Sequence, residues 1–213
     1  MKKALIISIT FSTLLLTAAF YLLLTVKGSG KANIVQAKQN TSEEKSCCSE
    51  VGNAKISENS IYQLESVWKS DAGKKIMLHD LKGKKQIMAM VFTSCTYACP
   101  LIVNDMKKIE SQIRRNDVNF LLISIDPKRD TPEVLMQYAK NNRLDMKRWH
   151  LLTGDESSVS ELAAVLGFKY KKEADGSFSH SNIITLLNET GEVAYQHFGL
   201  NQDVQDVLDN IKK

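Results

Sequence analysis

Two cysteines lie four residues apart in the short segment TSCTYACP, residues 93–100. Three residues separate Cys95 from Cys99, one more than in the C-x-x-C motif of a thioredoxin-type redox centre. Thiolates in such a pair can reduce a disulfide, attack a peroxide or bind a soft metal ion. Since two sulfurs leave a copper or zinc ion undercoordinated, a metal site requires a third ligand from elsewhere in the chain.

The chain has four histidines from which that ligand can come. His79 lies in an upstream hairpin, His150 lies in an apolar run where we expect it to pack, and His197 ends an outer strand where we expect it to be exposed. His180 follows the polar stretch 171–179, which can fold as a loop over the cysteine pair, and it stands at the start of the next strand. His180 is therefore the candidate third ligand, against the alternative of a loop histidine bonded to the backbone.

A second cysteine pair, Cys47 and Cys48, lies in the polar segment KSCCSE. Neighbouring Cα atoms are about 3.8 Å apart, shorter than the roughly 4.4–6.8 Å usual for a disulfide, so a bond between the two would be strained. The pair can serve as an auxiliary Cu(I) or soft-metal site, as resolving thiols for Cys95 and Cys99, or have no role.

From residue 61 onward, short apolar runs alternate with amphipathic segments of helical period. The predicted strands are 86–93, 118–125, 149–153, 181–187 and 192–197, and the predicted helices are 100–116, 131–142, 155–166 and 204–212. This order predicts an α/β fold in which a mixed central sheet, flanked by helices, ends in an antiparallel hairpin. It is the arrangement of the thioredoxin-like fold, to which residues 76–84 add an N-terminal hairpin.

The predicted elements place both cysteines at the carboxyl end of a parallel strand, where α/β folds carry their functional sites. Cys95 follows strand 86–93, and Cys99 precedes Pro100, whose fixed φ suits the first helical position. A helix N-terminus lowers the pKa of a nearby thiol, so we expect Cys99, and to a lesser extent Cys95, to be rich in thiolate. The alternative for this pair is a structural disulfide.

Two other patterns near the pair have structural explanations. The segment DPKRDTP, residues 126–132, has the composition of a turn followed by a helix cap, although it can also mark an edge where a partner docks. Met88 and Met90 alternate with apolar neighbours in a buried strand, so we expect them to pack rather than to bind metal.

The N-terminal part of the chain predicts an anchor followed by a tether. Residues 4–26 contain no charge and no proline, and they are long enough to form a transmembrane helix. Two lysines before this run favour a cytoplasmic position for residues 1–3, while a cleaved signal peptide is the alternative. Residues 27–60 are polar and aperiodic, as in a flexible tether. We therefore expect a single-pass protein of the cell (inner) membrane, with its domain, residues 61–213, on the extracytoplasmic, periplasmic side.

Length and composition fit one globular domain with appendages. The chain has 213 residues, of which 43% are hydrophobic and 24% are charged, and its formal net charge is +4. Lysines and acidic residues alternate along the chain without a basic block, which argues against a nucleic-acid partner.

Three motifs together make the domain resemble the SCO/SenC family of membrane-anchored copper proteins. They are a CxxxCP motif in VFTSCTYACPLIVNDM, a DPxxDTP turn in SIDPKRDTPEVL and a single downstream histidine in FSHSNIITLLNETGEV. The resemblance covers residues 61–213. It implies a thioredoxin-like domain that binds one copper ion, as Cu(I) or Cu(II), through Cys95, Cys99 and His180.

The resemblance also implies what the domain does with copper. It implies a metallochaperone, not an enzyme in the sense of turnover, that helps to mature the binuclear copper centre of cytochrome c oxidase. Its partners would be the copper-centre subunit of that oxidase, a copper donor and a thiol reductant protein. One alternative is a membrane-anchored thiol–disulfide oxidoreductase that reduces partner cysteines without metal. A weaker alternative is a peroxidase, since peroxide-reducing proteins share the fold.

Two departures from the family pattern concern charge near the site. The family often has Pro and Asp between its cysteines, where this chain has Thr96, Tyr97 and Ala98. It also often has Asp directly before the histidine, where this chain has Ser179. Fewer carboxylates leave the site less negative, so we expect it to favour Cu(I), which prefers thiolates, over Cu(II).

Overall fold

A mixed sheet of seven strands forms the centre of the structure, a computed structural model that describes residues 57–114 and 116–213. The strands of the described chain are β1 (Val67–Ser70), β2 (Lys75–Met77), β3 (Lys85–Val91), β4 (Val118–Ser124), β5 (Trp149–Thr153), β6 (Tyr170–Lys172), β7 (Phe178–His180), β8 (Ile183–Leu187) and β9 (Val193–Phe198). The helices of the same residues are α1 (Ala98–Gln112), α2 (Pro132–Asn141), α3 (Glu156–Val165) and α4 (Gln205–Ile211). Strands β6 and β7 form a separate two-stranded hairpin.

The strand order of the large sheet is β2-β1-β5-β4-β3-β8-β9. Strands β3, β4 and β5 are parallel to one another, whereas β8 runs antiparallel to β3 and β9 antiparallel to β8. The hairpin of β1 and β2 joins the opposite edge through an antiparallel pairing of β1 with β5. The predicted mixed sheet with an antiparallel hairpin at one edge is thus confirmed. An added N-terminal hairpin is also present, but it is formed by β1 and β2 and not within the predicted residues 76–84, where Leu78–Leu81 form a 3-10 helix.

The two central strands, β3 and β4, support the loop that contains Cys95. Every residue of β3 and β4 is buried, as expected for parallel strands with covered faces. Next to them, the rings of Phe120 and Trp149 stack with their centroids 4.8 Å apart. Met88 and Met90 are buried in β3, which confirms the predicted packing role of these two residues.

The predicted loop 171–179 is instead the hairpin of β6 and β7, so this prediction is wrong. Tyr170 pairs with His180 across the two strands, and Gly176 takes a positive φ of 81° in the turn between them. His180 therefore ends β7 and does not start β8, which begins at Ile183.

The prediction of an exposed His197 is also wrong, because this side chain is buried in β9. Helix α4 packs against β9, so this edge strand is not open to solvent on both faces. His150 is half-buried in β5, and burial lowers the pKa of its imidazole, in agreement with a packing role. His79 is exposed and lies 3.6 Å from the Asp80 carboxylate.

The described residues begin at position 57. Three predicted parts of the chain therefore lie outside them: residues 1–3, the anchor 4–26, and the tether up to residue 56, with Cys47 and Cys48. Within the described residues, no helix combines the length and the hydropathy that crossing a membrane requires. Ser60, which the prediction assigns to the tether, is buried and donates a hydrogen bond of 2.5 Å to the Thr190 carbonyl. The contacts of the domain therefore begin before residue 61.

Two turn glycines allow a test of how tightly the turn at Gly191 packs against the buried Tyr62. Gly73 and Gly191 both have positive φ, but a Cβ on Gly73 would meet open space, whereas a Cβ on Gly191 would lie 2.5 Å from the ring of the buried Tyr62. We expect Gly73→Ala to lower the free energy of unfolding by about 1–2 kcal/mol through backbone strain alone. Gly191→Ala should lower it by a further 1–3 kcal/mol or so through overpacking. Urea titrations of the full-length chain measure both values, and equal losses in the two variants would contradict the packing argument.

Candidate metal centre

The cysteine loop connects the carboxyl end of β3 to the first turn of α1. Helix α1 begins at Ala98, and its N-cap residue, Tyr97, makes no side-chain hydrogen bond to the helix. The sulfur of Cys95 takes this role, because the backbone N–H of Cys99 donates to Cys95 Sγ over 3.3 Å. The four-residue spacing thus places one sulfur above the helix N-terminus and the other inside its first turn.

The helix starts two residues earlier than predicted, since Pro100 occupies its third position and not its first. This position still tolerates proline, because the first four N–H groups of a helix have no carbonyl partner within it. The helix also ends at Gln112, before the predicted residue 116. The prediction that Cys99 lies at the helix start is confirmed.

His180 reaches the cysteines from the end of β7, in a defined tautomer. Its Nδ1 lies 2.8 Å from the backbone carbonyl of Ser181, which can only accept a hydrogen bond, so Nδ1 carries the proton. Its Nε2 lies 3.7 Å from Cys99 Sγ, and in the neutral imidazole this nitrogen has a free lone pair. A hydrogen bond from the second ring nitrogen to a backbone carbonyl is a common way to orient a metal-binding histidine.

The three predicted ligands converge. Cys95 Sγ, Cys99 Sγ and a ring nitrogen of His180 all lie within 4.8 Å of one another, and they are the group of potential metal ligands found among the described residues. Sulfur ligands bound at about 2.3 Å to a common ion lie roughly 4 Å apart, so a shift of under an ångström would accommodate one. Two thiolates with an imidazole are a donor set that suits copper.

Aromatic rings enclose the histidine side of the site. The His180 ring stacks on Phe168 with a centroid distance of 5.9 Å and meets the edge of Phe92 at 5.7 Å. Phe92 also contacts Phe178 at 5.2 Å, and its backbone N–H points to Cys99 Sγ over 3.5 Å. An apolar surrounding of this kind limits the access of water to a bound ion.

The two thiols differ in accessibility and in acidity. Cys99 is fully buried, and burial raises the pKa of its thiol, an effect to which the nearby Cys95 adds. Burial also acts to raise the pKa of the partly exposed Cys95, but N–H groups of Cys99, Tyr97 and Ala98 outweigh it and lower this pKa below its ordinary value. The expectation that Cys99 is the more thiolate-rich of the pair is therefore wrong for the metal-free protein.

A buried carboxylate that the sequence analysis assigns to a turn ties the cysteine loop to its neighbour. Asp130 is fully buried and accepts hydrogen bonds from the Thr93 backbone N–H at 3.1 Å, the Thr93 hydroxyl at 2.5 Å and the Ser124 hydroxyl at 2.6 Å. Burial raises the pKa of Asp130, and its charge adds to the raised pKa of Cys99. The predicted helix cap is confirmed by Thr131, whose side chain accepts from the Val134 N–H. The DPKRDTP motif was the signal that could have located Asp130.

Comparisons with known proteins agree on one family. Residues 60–213 match the SCO1/SenC family model. The SCO1 protein homolog of Bacillus subtilis (strain 168) is 27% identical over 168 residues, which cover 76% of this chain and 87% of that protein. Among solved structures, Arabidopsis thaliana ScoI with copper bound superposes with a TM-score of 0.60 and 26% identity, covering 69% of this chain and 94% of that one.

A disulfide switch is described for another solved structure that this chain resembles. BsSco, described as a member of the Sco family of cytochrome c oxidase assembly proteins with a disulfide switch, has a TM-score of 0.60 and 26% identity, covering 68% of this chain and 88% of that one. The fold of these proteins is the predicted thioredoxin-like fold, which is thereby confirmed for the described domain.

The asymmetry of the thiols predicts selective alkylation of the reduced, metal-free chain. Near neutral pH, iodoacetamide should label Cys95 at least about tenfold faster than Cys99, since each unit of pKa changes the thiolate fraction about tenfold. Peptide mass mapping over time measures the two rates. In the control variant Cys95→Ser, Cys99 should stay slow to react, and equal labelling of both cysteines in the wild type would contradict the assignment.

Proposed function

Because the chain belongs to the SCO1/SenC family, we propose that it is a copper metallochaperone that helps to mature the binuclear copper centre of cytochrome c oxidase. The convergence of Cys95, Cys99 and His180 within 4.8 Å is the observation that carries this proposal. Further support comes from the copper bound to Arabidopsis thaliana ScoI and from the description of BsSco as belonging to a family of oxidase assembly proteins. One copper ion per domain, held by these three residues, is the cargo.

The geometry fits an ion that must be taken up and passed on. Cys99 lies fully buried at the bottom of the site, while Cys95 and His180 are partly exposed. A ligand from a donor or acceptor protein can therefore approach from the side of Cys95 and His180 without unfolding the first turn of α1. His180 needs no change of tautomer to act as a ligand, because its Nδ1 proton is already committed to the Ser181 carbonyl.

The same proposal includes the location and the partners. An anchor over residues 4–26 and a tether over residues 27–56 would hold the domain on the extracytoplasmic side of the cell (inner) membrane, where the copper-centre subunit of the oxidase is reached. A copper donor and a thiol reductant are the other expected partners. Cys47 and Cys48 in the tether would be an auxiliary soft-metal site or resolving thiols.

A second candidate function, thiol–disulfide exchange without metal, is favoured by the difference between the two thiols. The accessible Cys95 thiolate would attack a disulfide of a partner, forming a mixed disulfide and releasing one partner thiolate, which takes a proton from water. Cys99 would then lose its proton and attack Cys95 Sγ, which releases the second partner thiol. The partner gains two electrons and two protons, and the Cys95–Cys99 pair is oxidised to a disulfide. The reaction needs only the two cysteines and the helix N-terminus, so it does not require His180.

Replacement of His180 separates the two functions. In a Cys47→Ser/Cys48→Ser background, we expect one tightly bound Cu(I) per chain, and His180→Ala should weaken that binding by about 100-fold or more because a ligand is lost. The Cys95–Cys99 disulfide should still form in His180→Ala. Competition with a chromophoric Cu(I) chelator measures the affinity, and a thiol assay measures the disulfide.

The matched control for this experiment is His150→Ala, which removes a half-buried histidine that is not part of the ligand group. Its Cu(I) affinity should equal that of the parent chain. Wild-type Cu(I) affinity in His180→Ala would refute the assignment of the third ligand and leave thiol exchange as the better function.

The lack of a charged residue between the cysteines allows a test of the expected preference for Cu(I). Tyr97 is 73% exposed at the N-cap of α1, and Tyr97→Asp restores a carboxylate there. We expect this variant to raise the affinity for Cu(II) relative to Cu(I) by about 2–10-fold, since an exposed charge acts weakly through solvent. Tyr97→Asn is the matched control, because Asn caps a helix as Asp does but adds no charge. Titration of both oxidation states gives the ratio, and a wild-type chain that binds Cu(II) as tightly as Cu(I), relative to the competitor of each ion, would contradict the preference.

A further inference from the structure

The ligand His180 lies on an element that cannot be stable by itself. Strands β6 and β7 have three residues each and form a sheet of their own, separate from the large sheet. A two-stranded hairpin is marginally stable at best in water, so contacts with the domain must hold it. At its base, the Ser181 N–H donates to the Lys169 carbonyl at 2.8 Å. The far end of the hairpin is the turn that contains Gly176, and contacts at this turn also bear on the position of His180.

Arg129 contacts the far end of this hairpin. Its Nη2 donates a hydrogen bond of 2.5 Å to the carbonyl of Gly176, the residue with positive φ in the turn. Its guanidinium carbon lies 6.0 Å from the centroid of the Phe178 ring, within the range of a cation–π interaction. An ideal Cβ on Gly176 would lie 3.8 Å from Arg129 Nη1, so the guanidinium lies against the turn.

The other side of the guanidinium is fixed to the body of the domain. Arg129 Nε donates to the carboxylate of Asp126, a residue only 2% exposed that follows β4. Backbone N–H groups of Arg129 and Asp130 donate to the Asp126 carbonyl, so the turn that presents Arg129 is itself closed by hydrogen bonds. The planar guanidinium therefore connects a buried carboxylate to the tip of the hairpin.

Contacts at the tip reach His180 through the alternation of side chains in β7. Phe178 and His180 are two residues apart in one strand, so their side chains lie on the same face of the hairpin. Both rings meet Phe92, with centroid distances of 5.2 Å for Phe178 and 5.7 Å for His180. An arginine that holds Gly176 and Phe178 in place thereby holds His180 against the cysteine loop.

We propose that Arg129 is a positioning residue of the metal centre, which acts through the β6–β7 hairpin to keep His180 Nε2 beside Cys99 Sγ. Its effect on metal binding rests on the proposed function, whereas its effect on the hairpin does not. Lysine cannot replace it, because one ammonium lacks the planar fork that serves the Asp126 carboxylate and the Gly176 carbonyl together.

The experiment compares Arg129→Met with a matched control on the same ring. Lys172 Nζ lies 5.7 Å from the centroid of Phe178, so Lys172→Met also removes a cation from this ring but leaves the Gly176 carbonyl bonded. The first measurement is amide hydrogen exchange over residues 170–180 in the reduced, metal-free, full-length chain. We expect exchange about tenfold faster in Arg129→Met, the effect of losing a hydrogen bond from a charged group, and wild-type exchange in Lys172→Met.

The second measurement is the Cu(I) dissociation constant by chelator competition. Arg129→Met should weaken binding by about 10–100-fold, as replacements of residues that orient metal ligands do. If Arg129 acts through His180, the double variant Arg129→Met/His180→Ala should bind no more weakly than His180→Ala alone. Arg129→Lys should exchange as fast as Arg129→Met, and wild-type exchange in Arg129→Lys would assign the effect to charge alone.

Because Arg129→Met leaves the buried Asp126 carboxylate unpaired, the variant Asp126→Asn/Arg129→Met repeats both measurements without that charge. Unchanged hairpin exchange in both variants overturns the proposal, as do additive losses of Cu(I) affinity in the double variant with His180→Ala. Should the wild-type chain fail to bind Cu(I), the proposed function falls, and the exchange measurement still decides the role of Arg129.

Discussion

The backbone N–H groups in the first turn of helix α1 have no carbonyl partner within the helix, and the rest of the site follows from how this need is met. Cys95 Sγ accepts the N–H of Cys99 in place of the usual hydroxyl or carboxylate cap. One sulfur then lies outside the helix and the other within its first turn. The same arrangement leaves Cys95 partly exposed and Cys99 fully buried, so the accessibility and the acidity of the pair share one cause.

The site joins two separate parts of the fold. Cys95 belongs to the loop that follows a fully buried parallel strand and Cys99 to the next helix, with the Asp130 carboxylate bonded to this loop at Thr93. The histidine belongs to a short hairpin outside the main sheet, held by aromatic packing and by Arg129. Under the proposed function, the ion needs ligands that retain it and at least one that can yield to a partner. Two thiols on the main fold and a histidine on a small hairpin would meet both needs.

Local patterns in the sequence predict much of this architecture, and what they miss depends on tertiary contacts. Strand β5 has its predicted bounds, 149–153, and His180 reaches the cysteines as expected, because apolar period and motif order are local signals. The hairpin around Gly176 was missed, although Asp-Gly between aromatic residues is a known hairpin signal. The DPKRDTP motif marks the position of Asp130, but the burial of Asp130 and of His197 depends on which elements pack against them and cannot be deduced from neighbouring residues.

The same limit applies to the electrostatics of the metal centre. The residues beside the ligands in the sequence, Tyr97 and Ser179, indicate a site poor in carboxylates, yet the fold brings the buried Asp130 close enough to help raise the pKa of Cys99. Cys99 therefore keeps its proton near neutral pH in the metal-free chain, and a metal that binds its thiolate must displace that proton. Burial and Asp130 favour the protonated form of the Cys99 thiol, so copper must compete with a proton for this sulfur. A higher pH should therefore favour copper binding. The acidity of Cys99 therefore depends on its burial and also on a carboxylate thirty-one residues away in the sequence, not on the neighbouring residues alone.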